Sequence, residues 1–112
     1  MNVKLDGQVW TGDILSWAVS GGTRQINATE PSTSIQIFMP EDTTGTFNPL
    51  DNMITVSYYD GTTTWSNNIW GEVTISANSD YHVEGEFNVI LASYFNSDTL
   101  TFTGGSFYFK DE

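Results

Sequence analysis

The chain has 112 residues, no cysteine, and three Lys and Arg residues against 14 Asp and Glu, which gives a formal net charge of −11. This length suits a single domain over residues 1–112, and the charge predicts no nucleic-acid partner because phosphate backbones are bound by cations. The absence of cysteine excludes disulfides and thiol chemistry, and no apolar stretch approaches the roughly 20 residues of a membrane span.

The first half of the chain has the pattern of short strands separated by turns. Residues 3–10 place Asp6-Gly7 between two apolar runs, which predicts a β-hairpin with a type I′ turn. Residues 14–19 fit a strand or one helical turn, and we favour the strand because Gly12 and Gly21-Gly22 leave little room for a helix. Two more strands are predicted over residues 24–28 and 34–39, joined by a turn.

The second half alternates more regularly. Loops are predicted over residues 40–45 and 47–52, followed by a strand over 53–59 and a turn at Asp60-Gly61. The polar stretch 62–68 fits a short strand or an exposed loop. A meander of three strands follows, over residues 71–76, 83–91 and 100–109. The chain is therefore predicted to be all-β, a single antiparallel β-sandwich or partly open barrel of about eight strands.

The last strand changes its alternation in the middle. Phe102 occupies an even position of the apolar face, whereas Phe107 and Phe109 beyond Gly104-Gly105 occupy odd ones. A β-bulge at the glycines would absorb this slip, because glycine accepts the left-handed conformation that such bulges require. The alternative is that Tyr108 faces the core and the two phenylalanines lie outside. We favour the bulge because it buries two large rings.

Four segments together resemble a known family: Leu5-Asp6-Gly7-x-x-Trp10, Gly71-x-Val73-Thr74-Ile75-Ser76, Val83-x-Gly85-x-Phe87 and Leu100-x-Phe102-x-x-Gly105-Ser106-Phe107. Their order is similar to that in the small Bacteroidetes lipoprotein domains of the DUF6252 type. The resemblance implies an exported, anchored β-domain whose export signal and lipid-modified cysteine would precede Met1. It implies no catalytic residue.

Catalytic chemistry finds little support in the sequence. His82 is the only histidine, and no nucleophile elbow accompanies it, so we predict a surface histidine. Glu84 and Glu86 share one strand face, with Glu72 as a neighbour, and paired carboxylates hydrolyse glycosides at suitable separations. Alternation makes these residues the solvated face of a strand. We therefore predict no catalytic residue and no enzyme, with a hydrolase using Glu84 and Glu86 as an unfavoured alternative.

Loop carboxylates raise the question of a metal. Hard oxygen ligands of the kind that Ca²⁺ takes occur at Glu41, Asp42, Asp51, Asn52 and Asp60. None follows the spacing of a calcium-binding EF-hand loop. No cofactor is predicted, a calcium site remains an alternative, and no metal ligands are assigned.

Aromatic residues are the better indication of function. Trp65 lies in a polar segment with Asn67 and Asn68, and alternation places Tyr59 outside the sheet. Exposed rings and amides are suited to carbohydrate, so Trp65, Tyr59, Asn67 and Asn68 are the predicted ligand-binding residues. The alternative is that these rings pack against the core.

The favoured function is a non-enzymatic domain, exported or at the cell surface or outer membrane, that binds a carbohydrate or another surface protein through exposed aromatic residues. The alternative is an adhesion or assembly subunit that pairs through edge strands. For this favoured function we expect that a lipid anchor upstream of residue 1 attaches the domain to a membrane.

Overall fold

The protein is a sandwich of two antiparallel β-sheets. The structure, a computed structural model, describes residues 1–51, 54–93 and 98–110. Within these ranges the first sheet has six strands in the order β2-β1-β11-β10-β9-β6, the second has five in the order β3-β4-β5-β7-β8, and the sheets do not close into a barrel. The strands are β1 (Asn2–Leu5), β2 (Gln8–Thr11), β3 (Asp13–Ser20), β4 (Thr23–Glu30), β5 (Thr33–Pro40), β6 (Gly45–Phe47), β7 (Thr55–Tyr59), β8 (Thr64–Trp65), β9 (Asn67–Asn78), β10 (His82–Ala92) and β11 (Thr99–Lys110). The predicted all-β class is confirmed.

The first hairpin forms as the sequence predicts. Asp6 and Gly7 have φ angles of 49° and 85°, and two successive positive values are the signature of the type I′ turn. The turn joins β1 to β2, which then continues through Gly12 into β3 of the other sheet. Residues 14–19 lie within β3, so the strand interpretation of this segment is confirmed.

One apolar core fills the space between the sheets. In β5 the alternation puts Ile35, Ile37 and Met39 inside, as predicted. Ile54, Val56 and Tyr58 are also buried together, as the spacing of the predicted strand over residues 53–59 requires. Met53 lies outside the described residues. Ile26 and Ala28 of β4 complete the contribution of the five-stranded sheet. The six-stranded sheet contributes core residues that include Val73, Ile75, Val83, Phe87, Val89, Leu91, Phe102 and Phe107.

A bulge interrupts the pairing of β10 with β11. Phe87 pairs with Gly105, but Val89 pairs with Phe102, so β11 carries an additional residue between them. Gly104 takes a φ of 61° at this point. Phe102 and Phe107 are both buried, which confirms the predicted bulge and rejects the inward Tyr108.

The number of strands exceeds the expectation. The described residues contain 11 strands, against about eight expected from turn spacing. Two of the 11 strands lie outside the segments that were individually predicted as strands. One is β6, which lies in the region predicted as loops and pairs with β9 through Gly45, Thr46 and Phe47. The other is the two-residue β8, which the polar sequence left undecided. A 3₁₀ turn over Pro49–Asp51 follows β6, and no helix of the described residues is long and apolar enough to cross a membrane.

Candidate functional site

The four predicted ligand-binding residues do not gather on one surface. Across β7 and β8, Tyr58 pairs with Trp65 and Tyr59 pairs with Thr64. Paired residues share a face and adjacent residues oppose each other, so Trp65 lies on the core side with Tyr58. Tyr59 is on the outside, with 42% of its surface exposed. Asn67 belongs to β9 in the other sheet.

Trp65 and Asn68 make contacts that stabilise the local structure. The indole Nε1 of Trp65 donates to Oδ2 of Asp60 at 3.1 Å, and its ring packs against the core. Asn68 donates from Nδ2 to the carbonyl oxygens of Val56 at 3.1 Å and Ser66 at 3.0 Å, and its Oδ1 accepts from Val56 N. The ligand-binding role of these two residues stays a prediction, and their polar groups already have partners.

Tyr59 borders a hollow of about 630 Å³ at the end of the five-stranded sheet. Some of the polar groups that line it already have partners within the protein. Glu30 accepts from Oγ1 of Thr33 at 2.6 Å, and this Oγ1 accepts from Nε1 of Trp10 at 2.8 Å. The hydroxyl of Tyr59 donates to the carbonyl of Gly61 at 2.8 Å. The hydrogen bonds of Trp10, Thr33 and Glu30 hold the turn between β4 and β5. Tyr59 is the only described aromatic residue that lines the hollow.

The outer face of the six-stranded sheet offers a better arrangement. Cross-strand pairs bring side chains from β9, β10 and β11 into adjacent positions on this face. A groove of about 620 Å³ lies at the Tyr108 end of this face, beside Glu84, Glu86 and Ser106. We call this surface the platform and define it by Trp70, Glu72, Glu84, Glu86, Ser106 and Tyr108.

Two exposed aromatic rings mark the ends of the platform. Tyr108 pairs with Glu84 at one end of β10, and Trp70 pairs with Ile90 at the other. Their side chains are 60% and 57% exposed. The positions along β10 differ by six residues, which corresponds to about 20 Å at a rise of about 3.3 Å per residue. The platform can therefore support an extended ligand that contacts both rings.

Contacts around His82 fix one end of the platform. Nε2 of His82 lies 3.1 Å from Oε1 of Glu84, and the imidazole meets the ring of Tyr108 edge to face, with centroids 5.3 Å apart. Oγ of Ser76 donates to Oε2 of Glu84 at 3.4 Å. These contacts hold Tyr108 and Glu84 in defined orientations, and such preorganisation reduces the entropy that binding costs.

The centre of the platform is hydrophilic and open. Glu86 lies between Thr74 and Ser106 on the neighbouring strands. Within the described part of the chain, the carboxylates of Glu86 and Glu72 have no hydrogen-bond or ion-pair partner. Carboxylates in this state accept hydrogen bonds from a ligand without first breaking contacts within the protein.

The described residues hold no site that resembles a metal centre. No three of their His, Cys, Asp and Glu side chains are placed to bind one ion. Asn52 and the side chain of Asp51 lie outside the described set. Asp60 accepts from the backbone N–H groups of Thr63 at 2.7 Å and Thr62 at 2.9 Å, and these two contacts, followed by the Trp65 indole, lower the pKa of its carboxyl. This carboxylate serves the turn.

The alternation of the sequence indicates that the two platform rings, Trp70 and Tyr108, lie on the outer face of their strands. Trp70 has the same parity as Glu72 and Thr74, so alternation puts it on the polar face of β9. Tyr108 falls outside once the bulge at Gly104 is accepted. Sequence reasoning alone does not single out Trp70, because tryptophan side chains are highly buried on average.

Comparison with known proteins identifies one family. The sequence model of a family described as a domain of unknown function (DUF6252) matches residues 1–109. No curated protein and no solved structure matches the chain.

Proposed function

The chain belongs to the DUF6252 family, and from this premise we propose that it is a non-enzymatic binding domain that holds an extended carbohydrate on the platform. The observation that carries the proposal is the position of Trp70 and Tyr108 at opposite ends of one polar sheet face, which has a groove at its Tyr108 end. An aromatic ring presents an apolar surface to a partner, which for a sugar means its C–H groups, while carboxylates and hydroxyls between the rings accept and donate hydrogen bonds to its hydroxyl groups.

The character of the platform favours binding over catalysis. Glu84 is held by His82 and Ser76, and Glu86 stands on an open face that water reaches freely. Enzymes exclude water from the reacting groups to strengthen electrostatic interactions. An open face with aromatic ends suits a ligand that is bound along its length.

A screen of immobilised glycans followed by calorimetry tests the proposal. Wild-type protein is expected to retain a polymeric or oligomeric glycan. The affinity should fall about fivefold or more in Trp70→Ala and in Tyr108→Ala, if a sugar on the ring gains as much as a stacked nucleic-acid base, about 1 to 3 kcal/mol. Tyr59→Ala is the matched control on the other sheet and should bind like the wild type.

The outcomes separate the two candidate surfaces. Loss of binding in Tyr59→Ala with retention in Trp70→Ala would move the site to the hollow beside β4 and β5. Retention of no glycan by the folded wild-type protein would overturn the proposal.

We also propose that the domain acts outside the cytoplasm, at the cell surface or outer membrane, as a lipoprotein. The resemblance to Bacteroidetes lipoprotein domains supports this location, and the acidic composition suits an extracellular setting. Protease treatment of intact cells that express the native gene should digest the domain. Protection in intact cells, followed by digestion after lysis, would contradict this location.

A further inference from the structure

The hollow at the end of the five-stranded sheet is a concave surface separate from the platform. Strand pairing aligns four of the residues that line it, Asp13, Thr29, Ser34 and Tyr59, on the adjacent strands β3, β4, β5 and β7. Paired residues share a face, so all four lie on the outer side of the sheet, in a row about 14 Å long. The volume of about 630 Å³ is that of a site for a small molecule.

Two carboxylates line the hollow, and one of them is held in position. Oε1 of Glu30 accepts from Oγ1 of Thr33 at 2.6 Å and from Oγ of Ser32 at 3.4 Å. Asp13 is exposed and interacts through charge with the amino group of Met1. Glu30 has no ion-pair partner within the described part of the chain. It therefore presents an oriented negative charge that no described cation balances.

The ring of Tyr59 is also held at the hollow. Its hydroxyl donates to the carbonyl oxygen of Gly61 at 2.8 Å, and the side chain remains partly exposed. The face of an aromatic ring attracts a cation, and quaternary ammonium groups are well-known ligands of such faces. A carboxylate and an aromatic ring in one hollow are therefore suited to an ammonium group with apolar substituents.

No exposed lysine or arginine of the five-stranded sheet competes for this place. Lys4 lies on β1 and Lys110 on β11, both in the other sheet, and Arg24 is fully buried on β4. These are the three Lys and Arg residues of the chain. The net charge of −11 further attracts cations and repels anions, so the charge of the protein complements a cationic ligand.

We propose that the hollow binds the ammonium group of a small organic cation. The positive charge lies against the carboxylate of Glu30, and the methyl or methylene groups of the cation pack on the ring of Tyr59. This site is independent of the proposed carbohydrate site, because the platform belongs to the six-stranded sheet.

Nuclear magnetic resonance with two probes of the same shape tests the proposal. Choline carries a quaternary ammonium group, and 3,3-dimethylbutan-1-ol replaces its nitrogen by carbon and has no charge. Choline should shift the amide resonances of residues 32–34 and 59–61 until they saturate. The neutral alcohol should bind about tenfold more weakly, because it lacks attraction to both the carboxylate and the ring. Added salt should weaken the binding of choline by screening.

Variants identify the groups that bind choline. Glu30→Gln keeps an oxygen that accepts from Thr33 and removes the charge, and Tyr59→Leu keeps apolar bulk and removes the aromatic face. Each should weaken the binding of choline about threefold. Glu41→Gln is the matched control, because it makes the same change beyond the opposite end of β5, and it should bind like the wild type.

Several results would contradict the ammonium site. Equal affinity for the two probes would show that charge has no part in binding. Shifts confined to the platform, or no saturable shift with choline, would overturn the proposal, as would wild-type affinity in folded Glu30→Gln and Tyr59→Leu. Because glycan binding is measured with Trp70→Ala and Tyr108→Ala, failure of either site leaves the test of the other intact.

Discussion

Arg24 on β4 donates from Nε to Oδ1 of Asn78, a residue 54 positions further along the chain at the end of β9. The guanidinium is fully buried, and Asn78 also donates from Nδ2 to the carbonyls of Pro40 and Thr43, both at 2.9 Å. One amide thus joins the two sheets, a loop and a buried cation. Asn78→Ala should lower the free energy of unfolding by about 3 kcal/mol, since three hydrogen bonds are lost at about 1 kcal/mol each. Urea unfolding followed by tryptophan fluorescence measures this.

Substitution of the buried Arg24 should lower the free energy of unfolding by less than Asn78→Ala does. Nη1 of Arg24 has no hydrogen-bond partner among the described residues, and the ion pair of Nη2 with Asp80, at 3.2 Å, involves a carboxylate that is 71% exposed. Arg24→Met leaves the buried Oδ1 of Asn78 without its donor, at a cost of about 1 to 3 kcal/mol, but it removes the desolvated charge that Asn78→Ala leaves unpaired. Asp80→Asn should change stability by less than about 1 kcal/mol. A larger loss in Arg24→Met than in Asn78→Ala would show that the guanidinium stabilises the fold.

Gly105 provides a test of how closely the bulge is packed. A Cβ atom at this position would lie 2.6 Å from the ring of Phe87, whereas one at Gly104 would have no heavy atom within 4 Å. Gly105→Ala should destabilise the protein by about 1 to 3 kcal/mol through overpacking, and Phe87→Leu in the same chain should recover part of the loss. In a double-mutant cycle Gly104→Ala should show no such coupling with Phe87→Leu, because its cost arises from backbone conformation. Equal coupling for both glycines would contradict this explanation.

The sequence predicts the bulge but not the buried arginine, and the reason is physical. Alternation and the properties of glycine are local, so Phe102, Phe107 and Gly104-Gly105 reveal the slip without knowledge of the tertiary structure. Arg24 also follows the alternation of β4, on the same side as Ile26, but its burial depends on an acceptor that only the fold brings to it. A charged residue is almost never fully buried unless it has a partner, so local reasoning places it in water.

Prediction of the candidate site from the sequence is limited in the same way, because contacts between distant segments depend on the tertiary structure. The sequence groups Glu84 and Glu86 correctly on one face, since both belong to a single strand. It groups Trp65 with Asn67 because they are close in the chain. The chain changes sheets between those two residues, and turn geometry of that kind depends on packing.

Asp60 should make the stability of the protein depend on pH. Backbone N–H groups of Thr63 and Thr62, then the Trp65 indole, lower the pKa of its carboxyl in the folded state. A lowered folded-state pKa contributes stability that is fully present above the unfolded value of about 3.9 and is lost as pH falls through the folded value. The stability advantage of the wild type over Asp60→Asn should therefore be constant near neutral pH and shrink below about pH 4. Urea titrations across this range measure the difference.

Glu86→Gln is the control for the Asp60 experiment. It removes the same charge from a described carboxylate that has no hydrogen-bond partner. Comparison of the two variants separates the loss of a charge from the loss of the turn contacts. If the wild type and Asp60→Asn kept the same difference at every pH, the turn contacts would not be the origin of the effect.

Trp65 should prove to be a residue of stability and not of ligand binding. Its ring packs against the core and its N–H group contacts Asp60, so Trp65→Ala should cost about 2 to 3 kcal/mol, less than a fully buried aromatic residue. Trp65→Phe keeps most of the ring and should lose about 1 kcal/mol with the hydrogen bond. Trp70→Ala, the same substitution at an exposed tryptophan, should change stability by no more than about 0.5 kcal/mol. Trp65→Ala should thus lower stability without changing the affinity for glycan, whereas Trp70→Ala should lower the affinity without changing stability. The two measurements together distinguish the two roles. A stable Trp65→Ala that no longer binds glycan would return the site to the turn between β7 and β8.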